Sequence, residues 1–282
     1  MFTNGVALPP RFKRITSYKE SLPVTTRHIT VTTAQHRILA PAKLTLSLRV
    51  TGVRSDGYHL IHSVMTTLDL HDELQITEGK SGLEFNGPYA SGITADANNL
   101  VARALAFVDR TAHVAVTKNI PHGGGLGGGS ADAAAIFRWA QRTSTADVVA
   151  SASIGADVPF CVVGGQARVS GIGEIIEPLP IEQSNITLII PPLHVSTPLV
   201  YKAWDELGHP RAQGPNDLEP AALVVEPQLV TWRDRIIEAT GQRPTLAGSG
   251  ATWFITDLAT NVGEGLREAL PEAQVVETRT GQ

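Results

Sequence analysis

Six glycines crowd around one leucine in the run Pro121-His122-Gly123-Gly124-Gly125-Leu126-Gly127-Gly128-Gly129-Ser130-Ala131. Glycine lacks a Cβ, so such a run adopts left-handed dihedrals and lets backbone approach a ligand closely. Ser130 is a good helix opener, and Ala133, Ala134 and Ala135 favour helix after it. The expected shape is a loop of inward-facing N–H groups feeding a helix N-terminus. Such a terminus binds anions through its free N–H groups and its dipole. Residues 121–131 therefore read as a cradle for a triphosphate. A flexible linker would stay polar and would not carry Leu126 into an abrupt helix. Gly123-x-Gly125-x-x-Gly128 also matches the dinucleotide fingerprint. Pro121, the extra glycines and the lack of a nearby strand ending in an acidic residue count against that reading. The Walker pattern needs Gly-Lys-Ser/Thr, and no lysine follows these glycines.

The chain has 282 residues, 42% hydrophobic and 18% charged, which suits one large or two modest domains. A net charge of −4 gives no global field for nucleic acid. One cysteine, Cys161, excludes an internal disulfide and fits a reducing, cytoplasmic compartment. No apolar run approaches the ~20 residues needed to span a bilayer. Residues 1–35 read as a disordered extension. Arg11, Lys13, Arg14, Lys19 and Arg27 face only Glu20, and prolines interrupt any apolar period. An organelle transit peptide is compatible with this composition but lacks its amphipathic helix. A misplaced start is the preferred reading, with Val31 as the alternative initiator.

Order begins near Gln35. Ile38 to Ala40 and Leu44 to Val50 read as strands interrupted by Pro41. Asp56-Gly57 signals a hairpin, and Tyr58 to Leu70 the returning strand. Further short strands are expected at Leu74 to Thr77, Leu83 to Phe85 and His113 to Thr117, with a helix capped by Asn98 between the last two. After the glycine-rich run, a helix from Asp147 to Ser153 stops at Gly155. Pro159 is expected to hold Val158 extended, and Phe160 to Val163 to pair with Gln166 to Val169 as a hairpin. Gly171-Ile172-Gly173 and Pro178 to Pro180 punctuate an expected domain junction. Beyond it come a strand at Ile186 to Ile190, a helix capped by Ser196, a turn at Asn216 to Pro220 and an amphipathic helix at Leu229 to Ala239. A second glycine loop at Leu246 to Thr252, a strand at Trp253 to Thr256, a last helix and a last strand close the chain.

Three segments stand together: Ala40-Pro41-Ala42-Lys43-Leu44-Thr45-Leu46, the glycine run, and Leu246 to Thr252. Their combination resembles the three-motif pattern of the GHMP kinase superfamily. Asp56-Gly57-Tyr58-His59 and Gly155-Ala156-Asp157-Val158-Pro159-Phe160 narrow the resemblance. They point to the branch that phosphorylates a cytidine-diphosphate-linked alcohol in the non-mevalonate route to isoprenoids. The resemblance implies an α+β, two-domain GHMP kinase fold. The first domain, residues 36–170, would be a ribosomal-protein-type ATP-binding domain with a left-handed βαβ unit. The second, residues 171–282, would be ferredoxin-like. It implies ATP and Mg2+ as cofactors, with metal ligands unassigned, a monomer or homodimer, and neither nucleic acid nor membrane as partner.

By the same resemblance Asp157 matches the catalytic base and Lys43 the catalytic lysine. ATP would lie on Pro121, His122, Gly123, Gly124, Gly125, Leu126, Gly127, Gly128, Gly129, Ser130 and Ala131, with Asn99 and Lys118 near the adenosine. Tyr58, His59 and Tyr201 match the cytidine-binding set. Gly248, Ser249 and Gly250 are expected near the phosphates or the substrate diphosphate. Thr45 stands where the family usually has asparagine, and His122 where it is more often apolar.

Overall fold

Two long strands frame the first half of the chain. The computed structural model describes Met1 and residues 34–121, 123–257 and 262–281. The expected N-terminal extension, with Val31, and His122 therefore fall outside the described residues, apart from Met1, Ala34 and Gln35. β1 (Gln35–Val53) turns through Asp56-Gly57 into β2 (His59–Glu78), and the two pair antiparallel from end to end. Gly57 takes φ +89°, the left-handed geometry that Asp-Gly supplies at hairpins. Pro41 does not end β1. Among the described strands β1 pairs with β2 alone, so proline's missing N–H interrupts no second ladder, and the pairing slips between Pro41 and Lys43 instead of stopping. Likewise Leu74 to Thr77 continues β2.

β3 (Gly82–Asn86), α1 (Leu100–Phe107) and β4 (Ala112–Thr117) form a βαβ unit, with β3 and β4 parallel. The cap of α1 is Asn99 rather than Asn98. Its side-chain oxygen accepts from the Val101 N–H at 2.9 Å. α2 (Gly128–Trp139) starts earlier than expected. Gly127, at φ +68°, is its cap, and Ser130 lies inside the first turn. The alanine-rich stretch lets α2 sink into the core, where Ala131 and every residue from Ala133 to Phe137 are at most 1% exposed. α3 (Thr145–Ser151) opens with a capping box between Ser144 and Asp147, and Ala152, not a left-handed Gly155, ends it. Phe160 to Val163 is not a strand. It belongs to α4 (Val158–Val163), with Pro159 in the first turn, where a missing N–H costs nothing and Val158 is helical.

β5 (Gln166–Gly171) and β6 (Ile175–Leu179) pair across Gly171-Ile172-Gly173, so that punctuation is a hairpin turn within the first sheet. β4 and β5 take successive halves of the β2 edge opposite β1. The second sheet runs β10-β7-β9-β8: β7 (Asn185–Ile190), β8 (Thr245–Leu246), β9 (Trp253–Thr256) and β10 (Gln274–Arg279). Around it lie α5 (Thr197–Glu206), α6 (Glu219–Val225), α7 (Gln228–Thr240) and α8 (Val262–Ala269). The expected turn at Asn216 to Pro220 leads directly into α6, again with proline in a first turn. Leu188 and Phe254 of the second sheet join the core beneath α2, while Trp204, Trp232 and Trp253 belong to a second cluster. Among the described residues no helix is long and apolar enough to cross a membrane.

Candidate active site

β1 carries Lys43 beneath the glycine loop, where its backbone N–H donates to the Leu126 carbonyl at 3.0 Å. Leu126 is 1% exposed and anchors the loop in the core. The first bond within α2 runs from the Ala131 N–H to the Gly127 carbonyl. The N–H groups of Gly128, Gly129 and Ser130 therefore have no acceptor within the helix and remain available to an anion. Gly125 takes φ +77°, and a Cβ there would strike the Ala247 carbonyl at 2.8 Å. One on Gly124 would strike Thr252 Oγ1 at 2.5 Å. The two glycine loops thus close on each other with no room for side chains. Asn216 fixes the second loop: its Nδ2 donates to the carbonyls of Leu246 at 2.8 Å and Gly248 at 2.6 Å. Nothing in its sequence context marks it apart from a turn asparagine.

Asp157 lies immediately before α4, its carboxylate 3.3 Å from Lys43 Nζ. The Lys43 ammonium also donates to Thr45 Oγ1 at 3.2 Å. Lys43 is 7% exposed at its side chain and Asp157 32%, so the pair sits at the boundary between core and solvent. The β5–β6 turn holds this segment from behind, since a Cβ on Gly173 would lie 2.5 Å from the Ala156 carbonyl. The Asp157 charge reaches its neighbours. Burial, and then Asp157, push both the Cys161 thiol and the Tyr201 hydroxyl up to about 12.

A cleft of ≈ 620 Å³ extends from this pair toward α5, lined by Lys43, Thr45, Tyr58, His59, Gly125, Ser130, Asp157, Tyr201, Gly248 and Ser249. On its far wall the His59 ring lies 4.6 Å from Tyr201 and 5.7 Å, edge-on, from Trp204. Asp205 accepts from His59 Nε2 at 2.9 Å and sits 3.3 Å from His209, so one carboxylate orients two imidazoles. Tyr58 projects from the hairpin turn, 59% exposed, with the Arg54 guanidinium 5.4 Å from its ring centre. A hydrogen bond between Thr197 Oγ1 and Ser249 Oγ at 2.7 Å ties the second glycine loop to α5.

Several expected contacts lie elsewhere. Gly250 is behind Gly125, where a Cβ would meet Leu246 at 3.3 Å. Asn99 uses its amide locally, capping α1 and donating to the Thr94 carbonyl at 2.9 Å. Pro121 and Ala131 are buried. Lys118 turns inward, its ammonium enclosed by Asp72 and Asp132 and not facing the cleft. Neither acidic partner stands out in the sequence, because a single aspartate on a strand or helix reads as a solvated residue.

The chain resembles known proteins over most of its length. The family model described as GHMP kinases N terminal domain matches residues 99–165. A protein of Paracoccus denitrificans (strain Pd 1222) named 4-diphosphocytidyl-2-C-methyl-D-erythritol kinase is 37% identical over 262 residues, covering 86% of this chain and 91% of that relative. The protein of the same name from Paramagnetospirillum magneticum (strain AMB-1) is 36% identical over 250 residues, covering 77% and 87%. The crystal structure of a 4-(cytidine 5'-diphospho)-2C-methyl-D-erythritol kinase superposes with a TM-score of 0.68 at 33% identity, covering 88% of this chain and 100% of the other. Homoserine kinase from Cytophaga hutchinsonii shares the fold alone, at 16% identity and a TM-score of 0.61, over 88% and 94% of the two chains. With its glycine bed, its lysine–aspartate pair and relatives of this similarity, the chain belongs to the 4-diphosphocytidyl-2-C-methyl-D-erythritol kinase family of GHMP kinases.

Proposed function

We propose that the chain transfers the γ-phosphoryl group of ATP to the 2-hydroxyl of 4-diphosphocytidyl-2-C-methyl-D-erythritol, in non-mevalonate isoprenoid precursor synthesis. The observation that carries this is the Lys43–Asp157 pair, 3.3 Å apart beside a bed of free main-chain N–H groups. The glycines between Gly123 and Gly129, with Ser130, hold the triphosphate, giving main-chain donors and the dipole of the α2 N-terminus. The substrate hydroxyl attacks the γ-phosphorus in line, the bond to ADP breaks, and the hydroxyl proton passes to Asp157. Lys43, 3.3 Å from Asp157, holds that carboxylate in place and offsets charge on the transferring group. Tyr58, His59 and Tyr201 hold the cytosine, each stacking contact being worth ~1–3 kcal/mol. Gly248 and Ser249 carry the substrate's diphosphate, with Gly250 shaping their loop from behind. Asn99 and Lys118 support the nucleotide side from beneath.

Mg2+ would be held chiefly through the nucleotide's phosphates and would supply positive charge to offset theirs. Among the described residues no three His, Cys, Asp or Glu side chains gather as a protein-built metal site. Magnesium in kinases is held chiefly through substrate phosphates with one or two side chains. The nucleotide-binding half comprises residues 36–170 and the second half residues 171–282, with β6 of the second half pairing onto β5 of the first. The buried free Cys161 fits a cytoplasmic protein, acting as monomer or homodimer without nucleic-acid or membrane partners.

ADP release measured with the cytidine diphosphate alcohol, homoserine and mevalonate tests the substrate. Turnover with the first alone is expected. Turnover only with homoserine or mevalonate would overturn the assignment.

A further inference from the structure

Beneath the glycine loop, on the side away from the cleft, three ionisable side chains are packed into the core. The Lys118 ammonium contacts the carboxylates of Asp72 on β2 and Asp132 on α2, the latter at 2.5 Å. Their side chains are 3%, 0% and 2% exposed. Asp72 Oδ1 also accepts from the N–H groups of Asn119 at 2.5 Å and Ile120 at 2.8 Å, the residues that lead into Pro121. A Cβ on Gly128 would lie 3.4 Å from Lys118 Nζ. Only one thickness of backbone therefore separates this cluster from the N–H groups offered to phosphate.

With both carboxylates ionised the cluster carries one net negative charge directly under an anion site. That arrangement opposes the binding it supports. Asp132 Oδ1 is buried and has no hydrogen-bond partner among the described residues. A buried carboxylate that shares one ammonium with a second carboxylate is costly to keep charged. Burial pushes the Asp132 carboxyl up to about 7, Lys118 pulls against this, and Asp72 adds to it. For Lys118, burial works against the charged form, but the two carboxylates outweigh it and raise its pKa. Further out, Cys161 on α4 senses Asp132 together with Asp157, Lys43 and Arg138.

We propose that the Asp72–Lys118–Asp132 cluster takes up one proton from solvent, onto Asp132, when a nucleotide's phosphates settle on the glycine loop. The inference rests on the nucleotide reading of that loop. The arriving negative charge disfavours a second negative charge below it, so the bound state holds the proton more tightly than the free state. Protonation leaves one carboxylate to one ammonium, and the cluster becomes neutral. Affinity is then greatest at low pH and falls as pH rises through the free-state value toward the bound-state value, by up to about tenfold per pH unit. Asp132 and Asp72 act here as positioning residues that do not touch the reacting atoms.

Calorimetric titration of the full chain with a non-hydrolysable ATP analogue in excess Mg2+ tests this. Buffers of different ionisation enthalpy report protons taken up, between about pH 6 and about pH 9. The nucleotide's own phosphate, and His194 beside Gly123, are common to wild type and variants, so the difference between proteins isolates the cluster. Wild type should take up more protons than Asp132→Asn or Asp72→Asn, by as much as one per nucleotide. Each variant already has a neutral pair, so its affinity should also depend less on pH. Equal uptake in wild type and variants would overturn the linkage while leaving nucleotide binding intact. Absence of any binding would overturn the nucleotide reading and the linkage with it. An infrared difference spectrum of wild type needs no variant: a protonated-carboxyl band should grow on binding, and a spectrum without it contradicts the proposal.

Discussion

Gly127 and Lys43 compete for one volume: a Cβ on Gly127, at φ +68°, would lie 2.7 Å from Lys43 Cγ. The glycine therefore serves the lysine as much as the phosphate loop. Gly127→Ala adds left-handed strain of ~1–2 kcal/mol and drives the Lys43 stem away from Asp157. Thermal unfolding should shift to lower temperature, and turnover should fall at least about tenfold, since a small misplacement at a reacting centre costs that much or more. Unchanged turnover would separate Lys43 from the loop's geometry.

The aromatic wall makes a prediction specific to one substrate. Replacing Tyr201 by Ala removes the ring 4.6 Å from His59. Loss of ~1–3 kcal/mol of stacking corresponds to a rise of about 5- to 150-fold in KM for the cytidine substrate. The KM for ATP should stay within about twofold of wild type, because a contact to one substrate leaves the other's affinity alone. Steady-state kinetics with each substrate varied in turn would read the split.

Asn216 bonds two carbonyls of the second glycine loop from a fully buried position. Asn216→Ala leaves both without their donor, at ~1–3 kcal/mol for a buried group left unsatisfied. Denaturant unfolding should show that loss. KM for the alcohol should rise with it, as Gly248 and Ser249 drift from the cleft.

Asp217 links acid stability to the junction of β1 and α6. It pairs with Arg49 at 2.7 Å and Arg211 at 2.8 Å and accepts from the Val50 N–H at 3.2 Å. Burial alone would raise its pKa, but these donors and the Ala212 N–H outweigh it and hold the carboxyl below its usual 3.8. A depressed folded-state pKa stabilises fully above the unfolded value and is lost as pH falls through the folded value. Wild type should therefore lose stability below about pH 4 more steeply than Asp217→Asn, a difference that unfolding curves at stepped pH resolve.

Motifs that carry chemistry in their residue types were legible in the chain. The glycine run, Lys43, Asp157 and the Tyr58-His59 pair line or floor one cleft, because each requires a particular residue type. What escaped was set by tertiary context. Phe160 to Val163 is a short apolar run without periodicity, which strand and helix explain equally well, and Pro159 suits the first turn of a helix. Ser130 looks like a cap, but Gly127 fills that place because only a residue without a Cβ fits over Lys43. β1 passes Pro41 because edge position, invisible in sequence, removes the cost. Asp72, Asp132 and Asn216 matter only through partners distant in the chain.

The most direct measurement replaces the Asp157 carboxylate, 3.3 Å from Lys43, with an amide of the same shape. Asp157→Asn should bind ATP with near wild-type affinity yet lose about 10²–10⁴-fold in phosphoryl transfer to the cytidine diphosphate alcohol, the usual contribution of a positioned proton acceptor. Single-turnover ADP formation beside equilibrium nucleotide binding would read both quantities on one preparation. Transfer at close to the wild-type rate would mean that the hydroxyl proton goes elsewhere, and that the Lys43–Asp157 pair is not where the alcohol is activated.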